Sequence, residues 1–152
     1  MIAKELINDS FPPLKLSDTG LKALNWMEEF RLEHLPIVDG VNYIGLANEE
    51  DILKLSSLDQ PLVNHKLPLI RPFVKFNKPI FEVVKLISKD KLTIIPVLDE
   101  ADHYIGLITL ADILKHYSES GIFEDAMGVI VLEVGAKSYS LSEIATLVEA
   151  EG

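Results

Sequence analysis

The hydrophobic and polar positions of the chain follow the same order twice. In each half a short apolar stretch precedes apolar residues at helical spacing, which predicts a strand followed by a helix. The stretches are "PLKL" at 13–16 and "FVKF" at 73–76. The helical positions are Leu21, Leu24 and Met27 in the first half and Phe81, Val84 and Ile87 in the second. Both halves are therefore predicted to begin with one strand–helix unit.

Two further strands and a short helix complete each half. Apolar runs flank the polar turns "DGVN" at 39–42 and "DEADH" at 99–103, which predicts two β-hairpins. The amphipathic patterns "EEDILKL" at 49–55 and "LADILKHY" at 110–117 each predict a short helix. Asp18 and Asn77 are candidate caps of the two longer helices, and Pro79 suits a first helical turn. The predicted order is β-α-β-β-α, twice.

This duplication also predicts the domain organisation. "YIGLANEEDILKL" at 43–55 aligns with "YIGLITLADILKH" at 104–116, and Pro36 aligns with Pro96. A single copy of about 50 residues buries too little surface to be stable alone, so we expect two copies packed sheet to sheet about a pseudo-twofold axis. The fold class is thus α/β (α+β). The predicted boundaries are 1–57 for the first repeat, 58–70 for the connection and 71–118 for the second repeat.

Composition and charge exclude several classes of function. The chain of 152 residues is 48% hydrophobic and 25% charged, which is typical of a globular protein. It has no signal-peptide pattern and no apolar run near the roughly 18 residues that span a bilayer, so we expect a cytoplasmic protein. The net charge of −10 argues against a nucleic-acid partner and against an anionic membrane surface.

Catalytic and metal-binding motifs are missing from the sequence. The chain has no cysteine, and its four histidines show no metal-ligand spacing. It contains no nucleophile elbow, no phosphate-binding P-loop and no dinucleotide fingerprint. The sequence therefore predicts neither an enzyme nor a metal site.

The order of the motifs resembles a tandem pair of CBS domains, known as a Bateman module. Each half carries hydrophobic-Pro-hydrophobic-hydrophobic-Asp, and the second half continues with Gly-hydrophobic-x-Thr-x-x-Asp at 106–112. The resemblance covers about 13–117. It implies a regulatory module that binds an adenosine-containing ligand, such as AMP, ADP, ATP or S-adenosylmethionine, in a cleft between the repeats.

The family motif also implies which residues contact the ligand. Its Thr and Asp face the ribose and its Gly allows a close approach, and the second copy has all three as Gly106, Thr109 and Asp112. By family position, the adenine would lie against Phe76 and the run 93–97, which includes Ile95 and Pro96. Phosphates need cations or a helix N-terminus, and the second long helix is predicted to start near Asn77, with Arg71, Lys75 and Lys78 as neighbouring cations. The alternative is that these three are ordinary surface charges and that Asn77 is only a helix cap.

The first copy departs from this motif. Asn48 stands in the place of the Thr, although Asp51 matches the ribose-binding acid. Glu49 and Glu50 add negative charge that would repel a phosphate. We therefore expect Asn48 and Asp51 to form a weaker second site, with the nucleotide in the second copy.

The C-terminal stretch shows a different pattern. "GVIVLEV" at 128–134 predicts a strand, and a capping-box spacing from Ser140 to Glu143 precedes apolar residues at helical spacing. The segment 127–152 resembles the opening of an ACT domain, which follows CBS pairs in some bacterial proteins, including relatives of the acetoin-utilisation protein B type. A whole ACT domain needs more chain than this, so we expect a partial domain. The alternative is a βα extension that packs on the CBS pair.

A structural function remains the alternative to ligand sensing. CBS pairs commonly form two-fold discs, and a pair whose ligand site has decayed would serve only as a dimerisation module. The apolar faces around Trp26, Leu53 and Ile113 are candidates for the interface. We expect a homodimer in either case.

Overall fold

Four α-helices and two β-sheets make up residues 1–121, the part of the chain that the computed structural model describes. The elements are α1 (Gly20–Phe30), β1 (His34–Asp39), β2 (Asn42–Asn48), α2 (Glu49–Leu53), β3 (Val74–Lys75), α3 (Ile80–Asp90), β4 (Ile94–Leu98), β5 (Tyr104–Thr109) and α4 (Leu110–Glu119). The predicted helices and hairpins of both repeats are confirmed. The predicted ACT-like segment, 127–152, lies outside the described residues.

The two hairpins have the same register. β1 pairs antiparallel with β2, with Pro36 opposite Leu46, and β4 pairs antiparallel with β5, with Pro96 opposite Leu107. β3 adds a short parallel strand beside β4. The corresponding strand predicted at 13–16 is reduced to one bridge, in which Leu14 pairs with Ile37. The first sheet therefore has two strands and the second has three.

The caps of the two long helices differ from the prediction. Thr19 caps α1 by accepting a hydrogen bond from Lys22 N at 3.1 Å, whereas Asp18 accepts from Lys15 N at 2.8 Å. Pro79 is the N-cap residue of α3, and Asn77 is exposed two residues before it. Each helix thus begins one or more residues later than the polar residue predicted to cap it.

The buried faces of the long helices also differ from the predicted ones. The inner face of α1 is formed by Ala23 and Met27, and Leu21 is 46% exposed. In α3 the inner residues are Val83 and the predicted Ile87, whereas the predicted Phe81 is 63% exposed. In a helix of 3.6 residues per turn, residues spaced by three do not lie directly above one another. The first residue of each predicted series therefore lies on a different face of the helix from the last.

One of the residues predicted for a dimer interface belongs to the core. Ile113 is 2% exposed and packs inside the main hydrophobic cluster, whereas the adjacent Leu114 is 62% exposed. The helical period explains the difference, because neighbouring residues point about 100° apart. Within residues 1–121 the longest helices have 11 residues, and none is long and apolar enough to cross a membrane.

The two repeats meet at both ends of their hairpins. At one end His34 Nδ1 lies 2.9 Å from Thr93 Oγ1. At the other end the rings of Tyr43 and Tyr104 are 6.4 Å apart, and Tyr104 N donates to Val41 O at 2.8 Å. Between these contacts β1 and β4 are almost entirely buried. The repeats therefore share one core, as the duplication predicted.

The segments that precede the repeats are exchanged between them. Residues 1–8, which we call the strap, pack on the second repeat, where Lys4 N donates to Phe76 O at 2.9 Å and Asn8 N donates to Leu107 O at 2.9 Å. The connection at 58–70 packs on the first repeat, where Val63 N donates to Leu16 O at 3.0 Å. The sequence boundary of 1–57 therefore does not describe the strap, which completes the other repeat.

Candidate functional site

Thr109 and Asp112 lie at the start of α4 and bind each other. Thr109 ends β5 and is 3% exposed. Its Oγ1 donates to Asp112 Oδ2 at 2.6 Å, its backbone N donates to the same oxygen at 3.0 Å, and Asp112 N donates back to Thr109 Oγ1 at 3.0 Å. This reciprocal capping box fixes the orientation of the Asp112 carboxylate.

The other carboxylate oxygen of Asp112 faces the strap. Asn8 Nδ2 donates to Asp112 Oδ1 at 2.9 Å across 104 positions of sequence. Asn8 was not predicted, because it precedes the first repeated stretch at 13–16 and the residues before that stretch were assigned to the first repeat. The structure thus adds Asn8 to the predicted pair.

Gly106 is also covered by the strap. Its φ is +147°, a backbone conformation that residues with a side chain rarely adopt. A Cβ atom on Gly106 would collide with Ile7 Cγ2. The group that approaches Gly106 closely in this structure is Ile7.

The remaining predicted site residues lie elsewhere. Phe76 N donates to Leu98 O at one end of the second sheet, whereas Thr109 pairs with Ile94 at the other end. Four residue steps along β4 separate these ends, or about 13 Å. Because β4 and β5 are antiparallel, Phe76 and the exposed Asn77 are not brought together with Asp112. The side chains of Ile95 and Pro96 are buried in the core.

A cleft of about 770 Å³ lies at the Phe76 end. Its lining divides equally between four charged residues, Lys4, Asp9, Asp99 and Glu100, and four apolar ones, Ile7, Phe76, Ala101 and Ile105. Neither Thr109 nor Asp112 lines it. The cleft therefore differs from the place where the predicted ribose-binding pair lies.

The three cations predicted to meet a phosphate are bound by protein groups. The Arg71 guanidinium lies 5.2 Å from the ring centres of both Tyr43 and Phe73. Lys75 pairs with Asp102, and its hydrogen bond and positive charge hold the pKa of that carboxyl below its usual value. Lys78 Nζ lies 3.6 Å from a carboxylate oxygen of Glu82. None of the three lines the 770 Å³ cleft.

The corresponding acid in the first repeat has a different environment. Asn48 caps α2 by accepting from Glu50 N at 2.8 Å. Among the described residues the carboxylate of Asp51 has no hydrogen-bond or ion-pair partner within bonding distance. A cleft of about 380 Å³ beside it is lined by Glu33, Asn48, Glu49, Glu50 and Leu53. This surface carries three carboxylates and no cation, which disfavours a phosphate there.

A buried histidine lies between the two repeats. His34 is 4% exposed, and its Nε2 atom lies 3.4 Å from Asn48 Nδ2. Removal from water disfavours the imidazolium form and lowers the pKa of His34, although the nearby Glu33 acts in the opposite direction. Residues 1–121 contain no group of three acidic or histidine side chains that would hold a metal ion.

Comparison with known proteins identifies the fold. Residues 66–119 match the family model of the CBS domain. Over 152 residues the chain is 23% identical to the inosine-5'-monophosphate dehydrogenase of Methanocaldococcus jannaschii. That match covers 98% of this chain and 30% of the dehydrogenase, so the chain spans less than a third of the length of this relative.

Three solved structures illustrate the shared architecture. A CBS domain pair/ACT domain protein from Thermotoga maritima is 27% identical, with a TM-score of 0.68 over 79% of this chain and 98% of that one. An acetoin utilization protein (AcuB) from Vibrio cholerae is 21% identical, with a TM-score of 0.69 over 85% and 98%. CBSX2, solved in complex with AMP, is 16% identical, with a TM-score of 0.66 over 78% and 97%.

Proposed function

The chain is a CBS domain pair, and we propose on this premise that it is a regulatory module that binds an adenosine-containing ligand in the second repeat. The observation that carries the proposal is the Thr109–Asp112 pair. Thr109 holds a half-buried carboxylate in a fixed orientation at the start of α4. The AMP bound by CBSX2, a protein of the same fold, supports the class of ligand.

Asp112 is suited to the ribose part of such a ligand. An ionised carboxylate accepts hydrogen bonds and donates none, so it can bind the 2′ and 3′ hydroxyls of a ribose together. A 2′-deoxyribose offers one hydroxyl fewer and should bind more weakly. We propose that the nucleoside supplies most of the affinity, because Arg71, Lys75 and Lys78 are engaged by other protein groups. AMP, ADP, ATP and S-adenosylmethionine all carry the required ribose.

We propose a regulatory function rather than a catalytic one. The site offers a capped carboxylate and a buried threonine, and Thr109 Oγ1 is already bonded to Asp112. The Thr109 side chain is buried and its Oγ1 also accepts from Asp112 N, so the hydroxyl serves as a helix cap and is not offered to a substrate as a nucleophile. The match to the dehydrogenase covers only 30% of that protein, so we do not propose dehydrogenase activity for this chain.

We also propose that the module is a homodimer. Large apolar side chains on the outer helix faces are exposed, among them Leu21, Leu53, Phe81 and Leu114. Burying such residues between two copies removes apolar surface from water. Sedimentation at tens of micromolar should give about twice the mass of the 17.0 kDa chain. A species of single-chain mass at that concentration would contradict the dimer.

A thermal-shift panel tests the proposed ligand. It compares adenosine, AMP, ADP, ATP and S-adenosylmethionine, with 2′-deoxy-AMP and GMP as controls. A ligand at about 100 times its dissociation constant should stabilise the fold by roughly 2.7 kcal/mol. No stabilisation by any adenosine compound would reject the proposal and favour the dimerisation module.

Calorimetry on two matched variants then locates the site. Asp112→Ala removes a charged acceptor and should weaken binding by about 1.5 to 3 kcal/mol, or roughly 10- to 150-fold. Asp51→Ala, the same change in the other repeat, should have little effect because of the surrounding carboxylates. Equal losses from the two variants would show that the nucleotide is not confined to the second repeat.

A further inference from the structure

The strap ends on the acid proposed to bind ribose. Asn8 Nδ2 donates to Asp112 Oδ1 at 2.9 Å, and Ser10 N donates to Asn8 Oδ1 at 2.9 Å. Because Ser10 N donates to it, the oxygen of the Asn8 amide must face Ser10. The donor end is therefore the one that faces Asp112.

The hydrogen bonds of Asp112 leave too few acceptor positions for both a ribose and Asn8. An ionised carboxylate has about four lone-pair positions on its two oxygens. Thr109 occupies two on Oδ2, through its backbone N and its hydroxyl, and Asn8 occupies one on Oδ1. One position remains, whereas the two hydroxyls of a ribose need two.

The first repeat lacks this contact. There the connection lies beside β2 as the strap lies beside β5, with Ile70 bridged to Leu46 as Asn8 is bridged to Leu107. Ile70 has no side-chain donor, and within residues 1–121 the Asp51 carboxylate has no hydrogen-bond partner. The bond from Asn8 is therefore a property of the strap and not a requirement of the repeated fold.

We infer that Asn8 competes with the ligand for Asp112, so that the strap regulates the second-repeat site. This inference rests on the proposed function. The Asn8 amide occupies one of the acceptor positions that a ribose diol needs, and a bidentate ribose binds only after Asn8 has moved away. By linkage, a nucleotide then favours release of Asn8, and any partner that holds the strap in place weakens nucleotide binding.

The rest of the strap remains anchored when Asn8 moves. Ala3 N donates to Lys78 O at 2.8 Å, Lys4 N donates to Phe76 O at 2.9 Å, and Ile80 N donates to Met1 O at 3.2 Å. These three bonds lie at the far end of the second sheet from Asp112. Release is therefore confined to the end of the strap near Ile7 and Asn8, and it does not unfold the repeat.

The affinity for AMP tests the competition directly. Asn8→Ala removes the competing donor and should tighten AMP binding about 3- to 10-fold by calorimetry. Asn64→Ala, an exposed asparagine of the connection, is the matched control and should leave the affinity unchanged. AMP that binds Asn8→Ala as well as or less well than it binds the natural chain would overturn the inference.

Hydrogen exchange on the natural chain provides the second readout. The backbone N–H of Asn8 donates to Leu107 O, so its exchange reports whether this end of the strap is in place. Saturating AMP should speed its exchange, whereas the amides of Ala3 and Lys4 should stay protected. AMP binding without faster exchange at Asn8 overturns the competition and leaves the proposed function intact. Failure of both the natural chain and Asn8→Ala to bind AMP or any other adenosine compound rejects both.

Discussion

The two repeats have the same backbone plan, but their matching acids have different neighbours. Asp51 and Asp112 occupy the same place after their hairpins, and Ile52 and Ile113 beside them are both buried. Asp112 is held by Thr109 and Asn8, whereas Asp51 has no such partner among the described residues. A duplicated fold can thus preserve the core and still produce two different sites. The difference comes from the helix caps and from the covering segments, which are the strap on the second repeat and the connection on the first.

The strongest test of the shared plan is in the core. Ile52→Ala and Ile113→Ala each remove a side chain that is at most 2% exposed, at matching positions. Both should lower the free energy of unfolding by about 2 to 5 kcal/mol in urea titrations followed by circular dichroism. Two separate transitions in either variant would show that the repeats do not share one cooperative core.

Substitution of the matching glycines should give the next largest difference in stability between the repeats. Gly45→Ala and Gly106→Ala both bring a Cβ atom against the covering segment, but only Gly106 has a positive φ, +147°. Gly106→Ala should therefore be less stable than Gly45→Ala by about 1 to 3 kcal/mol. Denaturant midpoints measured side by side give this difference. Equal losses would indicate that contact with the covering segments, and not backbone conformation, sets the cost.

Helix caps should give a smaller difference. Thr109→Ala removes the two bonds of its hydroxyl, from Asp112 N and to Asp112 Oδ2, and keeps the bond from its backbone N to Asp112 Oδ2; it should destabilise the fold by about 1 to 2 kcal/mol. Asn48→Ala removes the capping bond from Glu50 N on a helix of 5 residues and the longer contact with His34 Nε2, and should cost about 0.5 to 1 kcal/mol. Thermal unfolding of the two variants measures both values, and a larger loss for Asn48→Ala would reverse the comparison.

Acidic pH should reveal the smallest difference between the repeats, through the titration of His34. His34 matches Ile94 in the second repeat, so only one side of the interface titrates here. Burial lowers the pKa of His34 below its ordinary value of 6.5, so the unfolded chain takes up the proton first as the pH falls. This contribution to stability is complete above about pH 6.5 and declines as the pH falls through the folded pKa.

The variant His34→Gln isolates that contribution. Urea midpoints at about pH 7.5 and 5.5 should differ less for the variant than for the natural chain, since glutamine does not titrate. The same pH dependence in both proteins would assign the acid sensitivity to other groups.

The sequence predicted the elements better than the site. Alternation around two polar turns predicted both hairpins, because a period of two and turn residues are local signals. The cap of α1 was misplaced by one residue because Asp18 and Thr19 are adjacent and both contact Lys22. Asp18 accepts a hydrogen bond from the Lys22 side chain, and Thr19 accepts one from the Lys22 backbone N. Local patterns decide which element forms more reliably than where it begins.

The site could not be predicted in full because its contacts are not local. Thr109 and Asp112 were predicted from the family motif, and they lie three residues apart, a spacing that a helix start brings together. The contact between Asn8 and Asp112 spans 104 positions and has no periodic signal. Phe76 was grouped with Asp112 by family position, although the strand directions place it at the other end of the sheet.

The exchanged strap also affects the order in which the chain folds. During synthesis residues 1–8 emerge before the second repeat, yet their hydrogen-bond partners include Phe76, Lys78 and Leu107. The strap therefore cannot form these hydrogen bonds until most of the described chain has left the ribosome. Closing so long a loop is also entropically costly. The first repeat needs only the connection that directly follows it. It can assemble early, whereas the second repeat is completed by residues synthesised long before it.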